Sequence, residues 1–222
     1  MKNNQTERLT SSLPVLNGRV LVVDLLKQKW EEKAVPGDIY GKYLYGRGIS
    51  ACLLSGTIDL DLYPGKSLVL APGLLTGIIP FSHSCLSIVE DDVRVAAYSF
   101  SGHWGMELKM AGFDCLIITG DSTIPVVLNI RNDIVSFYDL PYSWDQEAAD
   151  CMALIKNNQG DQWVEVLVTA GPDFPAYSLI ARSSYSSLKN ATQQFESKKL
   201  KAISVRGTRG FRISHPEMFK KV

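Results

Sequence analysis

Apolar and β-branched residues fall in short runs along this chain. Arg19 to Asp24 is one such run, Ser67 to Leu70 and Leu86 to Val89 repeat its character, and Cys115-Leu116-Ile117-Ile118 leads into a Gly120-Asp121 turn, so each predicts a strand. Pro125 to Ile130 and Ile134 to Phe137 are joined through Arg131-Asn132-Asp133, a short polar link that suits a hairpin. Trp163 to Thr169 and Ala202 to Val205 add two more strands. Helical spacing of apolar residues predicts helices from about Pro36 to Leu54, His103 to Ala111, Trp144 to Asn157 and Ser186 to Lys199. In the third, Trp144, Ala148, Cys151, Met152 and Ile155 share one face, with Asp145, Glu147 and Asp150 largely off it.

Strands outnumber helices and do not alternate regularly with them, which predicts an α+β fold rather than a doubly wound parallel sheet. No long Gly/Ser/Pro linker divides the chain. The organisation expected is a polar tail over residues 1–16 followed by one domain over residues 17–222.

Composition sharpens this picture. A hydrophobic fraction of 45% over 222 residues supplies a sizeable core. Lys plus Arg and Asp plus Glu both number 23, so no global field attracts nucleic acid, anionic lipid or a highly charged substrate. Lys198, Lys199 and Lys201 therefore read as a solvated helix end or strand start, not a nucleic-acid patch. The opening Met1-Lys2-Asn3-Asn4 lacks the apolar region of a secretory signal, and a cytoplasmic location is expected.

Ser67 to Val89 holds no charged residue and is long enough to span a bilayer, but Pro72, Gly73, Gly77 and Pro80 interrupt it, so no membrane span is expected. Cys52, Cys85, Cys115 and Cys151 form no Cys-x-x-Cys pair and read as buried thiols; this chain alone offers no iron–sulfur cluster. His83, His103 and His215 show no ligand spacing. Trp104, Trp144 and Trp163 read as core or interface anchors, and the adjacent Asp91 and Asp92 as a turn.

Five segments in order carry a resemblance. They are Gly18-Arg19-Val20-Leu21-Val22-Val23-Asp24-Leu25; Tyr43 to Ala51, containing Gly46-Arg47-Gly48; Ala71-Pro72-Gly73-Leu74-Leu75-Thr76-Gly77; Gly105 to Asp114; and Lys199 to Gly207. With Arg206-Gly207-Thr208-Arg209-Gly210-Phe211 and His215-Pro216-Glu217 at the end, the chain resembles the N-terminal domain of the tungsten-dependent aldehyde:ferredoxin oxidoreductases. The resemblance runs from about Asn17 to the C-terminus, and the chain stops where the family's iron–sulfur domains would begin. It implies an α+β fold of two similar sheet-rich halves that forms a platform beneath a tungsten or molybdenum bis-pterin cofactor.

Such a cofactor carries phosphates and a polar ring edge, so its seat needs closely approaching backbone N–H groups and cationic or amide side chains. Gly46, Arg47 and Gly48 retain one family segment, and Gly102 retains one glycine of another; these four are the cofactor-binding candidates, against the plainer reading that the first two glycines let a helix pack tightly. Other positions depart. Cys85 stands where the family's Gly-Ser-Gly-Arg-Phe-Ser has arginine, and Ser99 stands where Ser-Asn-Ser-Gly-Gly has asparagine. The family's Gly-Arg-Gly-Gly-Leu-Gly-Ala-Val-Met-Gly loop matches Ser187 to Glu196, with every glycine replaced and Leu188 in place of an arginine. Side chains at positions needing positive φ would strain that loop by about 1 kcal/mol each.

The function expected is that of a stand-alone, non-catalytic relative with a degenerate cofactor site, an accessory subunit of a redox complex. Its partners would be a full-length aldehyde:ferredoxin oxidoreductase-like subunit and ferredoxin-like proteins, or a second copy in a homo-oligomer. No cofactor of its own is expected, although residual binding of a tungsten or molybdenum pterin stays open. The alternatives are a metallopterin carrier and the pterin-binding half of a split oxidoreductase; no residue is a catalytic candidate.

Overall fold

In β1 (Arg19–Asp24), Val20 and Val22 face one way, Leu21 and Val23 the other, and all four are buried. A strand with two apolar faces needs cover on both. The computed structural model, which describes residues 17–57, 67–78, 82–90, 94–139, 148–168, 185–210 and 217, supplies it. β1 pairs antiparallel with β2 (Lys29–Ala34) and parallel with β6 (Cys115–Thr119). β3 (Leu68–Pro72), β4 (His83–Glu90) and β5 (Arg94–Ser101) then add antiparallel, giving the order β2-β1-β6-β3-β4-β5. A second sheet has the order β8-β7-β10-β9, from β7 (Val126–Arg131), β8 (Ile134–Asp139), β9 (Glu165–Val168) and β10 (Leu200–Arg206).

The halves repeat. Helices α1 (Gly37–Tyr43) and α2 (Arg47–Leu54) follow the β1-β2 hairpin, and α3 (Trp104–Met110) precedes β6. In the same way α4 (Ala148–Gln159) follows the β7-β8 hairpin and α5 (Tyr185–Ser197) precedes β10. Each hairpin's first strand lies parallel to the last strand of its half. The β2-β1-β6-β3 order therefore matches β8-β7-β10-β9, and the β4-β5 hairpin is added beyond β3. This is the α+β fold of two similar sheet-rich halves.

One apolar cluster fills the space between the sheets. Leu21, Leu70, Leu116 and Ile118 meet Leu128, Ile130, Ile203 and Val205, with Trp104 and Leu108 of α3 and Ala191 and Phe195 of α5 among them. Each such fully buried side chain contributes roughly 1.5–3 kcal/mol of transfer free energy. On the outer faces, α2 covers Val69, Ala71 and Ile117, and α4 covers Val127, Val166 and Ala202.

Several expectations change. The helix expected from Pro36 to Leu54 is two helices, broken where Leu44 (φ 54°) and Gly46 (φ 60°) leave helical space. β2 and β5 were not foreseen, and β4 begins at His83 rather than Leu86. The β7-β8 turn tightens to two residues, with Arg131 paired to Ile134 and Asn132 at φ 51°. Lys198 and Lys201 are each only 1% exposed, not solvated: Lys201 lies in β10, a central strand covered on both faces, and Lys198 turns in to donate to the Gly120 carbonyl and pair with Asp121. Trp104 is a core anchor, donating from Nε1 to the Ile203 carbonyl, whereas Trp163 is 76% exposed. All four cysteines are buried and free.

The uncharged Ser67 to Val89 stretch supplies β3, a turn over residues 73–78 and most of β4; no helix among the described residues is long and apolar enough to cross a membrane. The 1–16 tail, the Asp91-Asp92 turn, Trp144 with the first residues of its helix, Thr169 and His215 lie outside the described residues.

Candidate functional site

Gly46-Arg47-Gly48 forms the bend from α1 into α2. Gly46 is the residue before the helix, at φ 60°, and no side chain caps the first N–H groups of α2. A methyl group on Gly46 would meet nothing within 4 Å, but the residue itself is buried and its carbonyl accepts from the Ser50 N–H and hydroxyl. Gly48 is different: a methyl there would sit 1.8 Å from the Tyr43 carbonyl oxygen, so glycine is required for α2 to pack against the end of α1. Arg47 is exposed and lies beside Cys85 of β4.

The β4-β5 hairpin brings the next positions together. Cys85 pairs with Ser99 and His83 with Ser101, and His83 Nδ1 lies 3.2 Å from Ser101 Oγ. Gly102, at φ 130°, follows β5, and its N–H donates to the Ser82 carbonyl at 3.4 Å; a methyl on Gly102 would also meet nothing. Cys85 is 4% exposed, with its Sγ 3.5 Å from Ser87 Oγ. Burial pushes the Cys85 thiol up, outweighing Ser87 and Arg47, which pull the other way. The position matching the family's arginine is thus a neutral thiol, and the nearby positive charge comes from Arg47 across the helix–sheet boundary.

The Ser187 to Glu196 segment is helical, within α5. Ala191 and Phe195 are each 2% exposed in the core between the sheets. No residue of α5 has positive φ, so the strain expected from losing glycines does not arise. α5 packs on the face of β4 opposite to α2. For a phosphate-bearing pterin, the described residues offer an exposed glycine at Gly102, a buried one at Gly46 and the Arg47 guanidinium. A buried thiol and a helix stand where the resemblance expects further donors.

Two further polar clusters lie near this edge, and neither was read from the sequence. Asp114, fully buried, accepts from the Asn17 N–H at 3.0 Å, the Gly18 N–H at 2.6 Å and the Tyr40 hydroxyl at 3.4 Å, fastening the start of β1 to α1. Burial pushes its carboxyl up against the pull of those donors. Glu107 of α3 accepts from Arg206 Nη1 at 3.1 Å and from the Gly207 N–H at 2.7 Å, and Arg206 also reaches Asp161, which pairs with Arg131. This network ties α3 to the second sheet. A methyl on Gly207 would lie 2.3 Å from the Ala111 nitrogen, so the Arg206-Gly207 pair is explained by packing. Among the described residues no group of three His, Cys, Asp or Glu side chains comes together to hold a metal ion.

Comparison with known proteins gives consistent matches. Residues 20–207 match the family model of the aldehyde ferredoxin oxidoreductase N-terminal domain. The chain is 27% identical over 215 residues to the tungsten-containing aldehyde ferredoxin oxidoreductase of Thermococcus kodakarensis, covering 92% of this chain and 36% of that protein. It is 33% identical over 135 residues to the aliphatic sulfonate oxidoreductase WOR-like subunit of Pyrococcus furiosus, covering 58% of this chain and 22% of that one. A chain of the active-site complex BamBC of benzoyl coenzyme A reductase, solved with 1,5-dienoyl-CoA, superposes with a TM-score of 0.73 at 28% identity, over 88% of this chain and 31% of its own. The chain spans about a third or less of the length of these curated relatives.

Proposed function

Because this chain belongs to the aldehyde ferredoxin oxidoreductase family as an N-terminal domain, we propose that it is a non-catalytic accessory subunit of a redox complex containing a full-length family member. One observation supports this reading: the scaffold of both sheets is intact while positions that the resemblance aligns with cofactor contacts carry other residues, with Cys85 buried and Ala191 and Phe195 of α5 packed in the inter-sheet core. Oxidising an aldehyde needs a redox group for its two-electron step, and protein side chains do not supply one. The partners proposed are the full-length subunit and ferredoxin-like electron carriers, or a second copy of this chain. The name of the WOR-like subunit and the BamBC complex are in keeping with life in an assembly. A cytoplasmic location is proposed with it; four free, buried thiols suit a reducing compartment.

A second reading has its own support in the positive-φ glycines Gly46 and Gly102, whose Cβ positions no neighbour fills, and in the exposed Arg47. On that reading the chain is a metallopterin carrier or the pterin-binding half of a split tungsten or molybdenum oxidoreductase. Metal and pterin analysis separates the two, using the chain stripped of partners from cells supplied with tungstate or molybdate. The accessory reading expects no stoichiometric metal or pterin, and one equivalent of both overturns it in favour of the second.

A further inference from the structure

Lys109 of α3 is 2% exposed, yet among the described residues its ammonium forms no ion pair. It donates to the carbonyls of Gly73 and Leu74, both at 2.7 Å, and lies 5.0 Å from the centroid of the Tyr45 ring. The carboxyl of Asp114 is the charged group that acts on it. Burying an ammonium costs several kcal/mol, and simple stability is better served by an apolar side chain. The contacts show what the ammonium holds. The 73–78 turn grips the start of β4, with the Gly73 N–H donating to the His83 carbonyl at 2.8 Å and Thr76 Oγ1 donating to the same oxygen. His83 in turn pairs with Ser101, next to Gly102. On its other side, Tyr45 immediately precedes Gly46-Arg47. A single buried cation thus touches the α1–α2 elbow and the 73–78 turn, and through the turn reaches the start of β4 and the end of β5.

We propose that Lys109 is a positioning residue, the internal tie that fixes these loops relative to one another and so preforms the edge carrying Gly46, Arg47 and Gly102. Two adjacent carbonyls beside a buried side chain can both be met by the several donors of one ammonium, and an aromatic face suits its third side. The proposal rests on this edge being the working face, but its test does not require a partner.

Hydrogen–deuterium exchange on the full chain compares wild type with Lys109→Met and Lys109→Arg. In the Met variant, amides of residues 44–48, 73–78 and 101–104 should exchange about tenfold faster, with β7 to β10 unchanged, and the Arg variant should recover part of the protection. Uniform acceleration through both sheets, or an unchanged edge, overturns it. Should the Met variant not fold, NMR titration of the wild type decides: the amides of Tyr45 and of Gly73 to Thr76 should shift together with one midpoint, below the ordinary lysine value and towards about 8, and the absence of any shared shift overturns it. Partner capture by the wild type, measured separately, tests the accessory reading on its own.

Discussion

Gly46 and Gly48 stand two residues apart and are glycines for different reasons. Gly46 needs the backbone conformation at φ 60° but has open space around it, so Gly46→Ala should cost about 1–3 kcal/mol of strain. Gly48→Ala puts a carbon into the Tyr43 carbonyl and should cost more, at or beyond the top of the ~1–3 kcal/mol typical of overpacking. Denaturant unfolding of both variants checks the order, and an equal or reversed cost contradicts the packing role of Gly48. Lys109 makes a second prediction at this scale. Desolvation holds its pKa down to about 8 from an ordinary 10.5. Below pH 8 the ammonium is charged in both folded and unfolded chains, so its burial penalty is constant. As pH rises from about 8 to 10.5 the folded form gives up its proton first, and stability should rise by about 3 kcal/mol relative to Lys109→Met. Subtracting the variant removes the opposing effect of the buried tyrosines and thiols. A difference that stays flat across that window contradicts the burial of a charged Lys109.

Between elements, the tie that matters most is α3 to β10. Glu107→Ala would leave the Gly207 N–H without its acceptor and remove the carboxylate from Arg206, so a loss of about 3 kcal/mol is expected by thermal or urea unfolding. A loss under about 1 kcal/mol, the worth of a surface pair, contradicts that network. Elements like α3 show where the sequence was legible. β1, β6, β7 and β10 could be read because their apolar runs are buried on both faces, and α3 because apolar residues recur at helical spacing from His103 to Ala111. β2 could not: Lys29, Glu31, Glu32 and Lys33 give no alternation, and the strand is an exposed edge held by pairing with β1. The break at Leu44 was invisible because a non-glycine residue there adopts positive φ. At the candidate site, Gly46-Arg47-Gly48 could be singled out as a family-like segment, but the break between α1 and α2 that it forms could not. The approach of Arg47 to Cys85 and the burial of Lys109 and Lys201 were not legible, since each depends on packing between residues distant in sequence.

For the whole molecule, two repeated sheet units enclose a shared core, and the added β4-β5 hairpin together with the α1–α2 elbow makes one edge unlike anything described in the second half. That asymmetry sets the Gly46-Arg47-Gly48 bend and the β4-β5 hairpin that leads to Gly102 in the first half of an otherwise repeated body. An accessory subunit needs such a body to be rigid and such an edge to be presented, and it needs no chemistry of its own. Native mass spectrometry of the tagged chain, purified from the cells that make it, tests this most directly. The predicted result is a complex whose mass is this 24.6 kDa chain plus a polypeptide carrying the full-length family enzyme, with any metal and pterin travelling with that second polypeptide. A 24.6 kDa monomer alone, or one holding the metal and pterin itself, would contradict it.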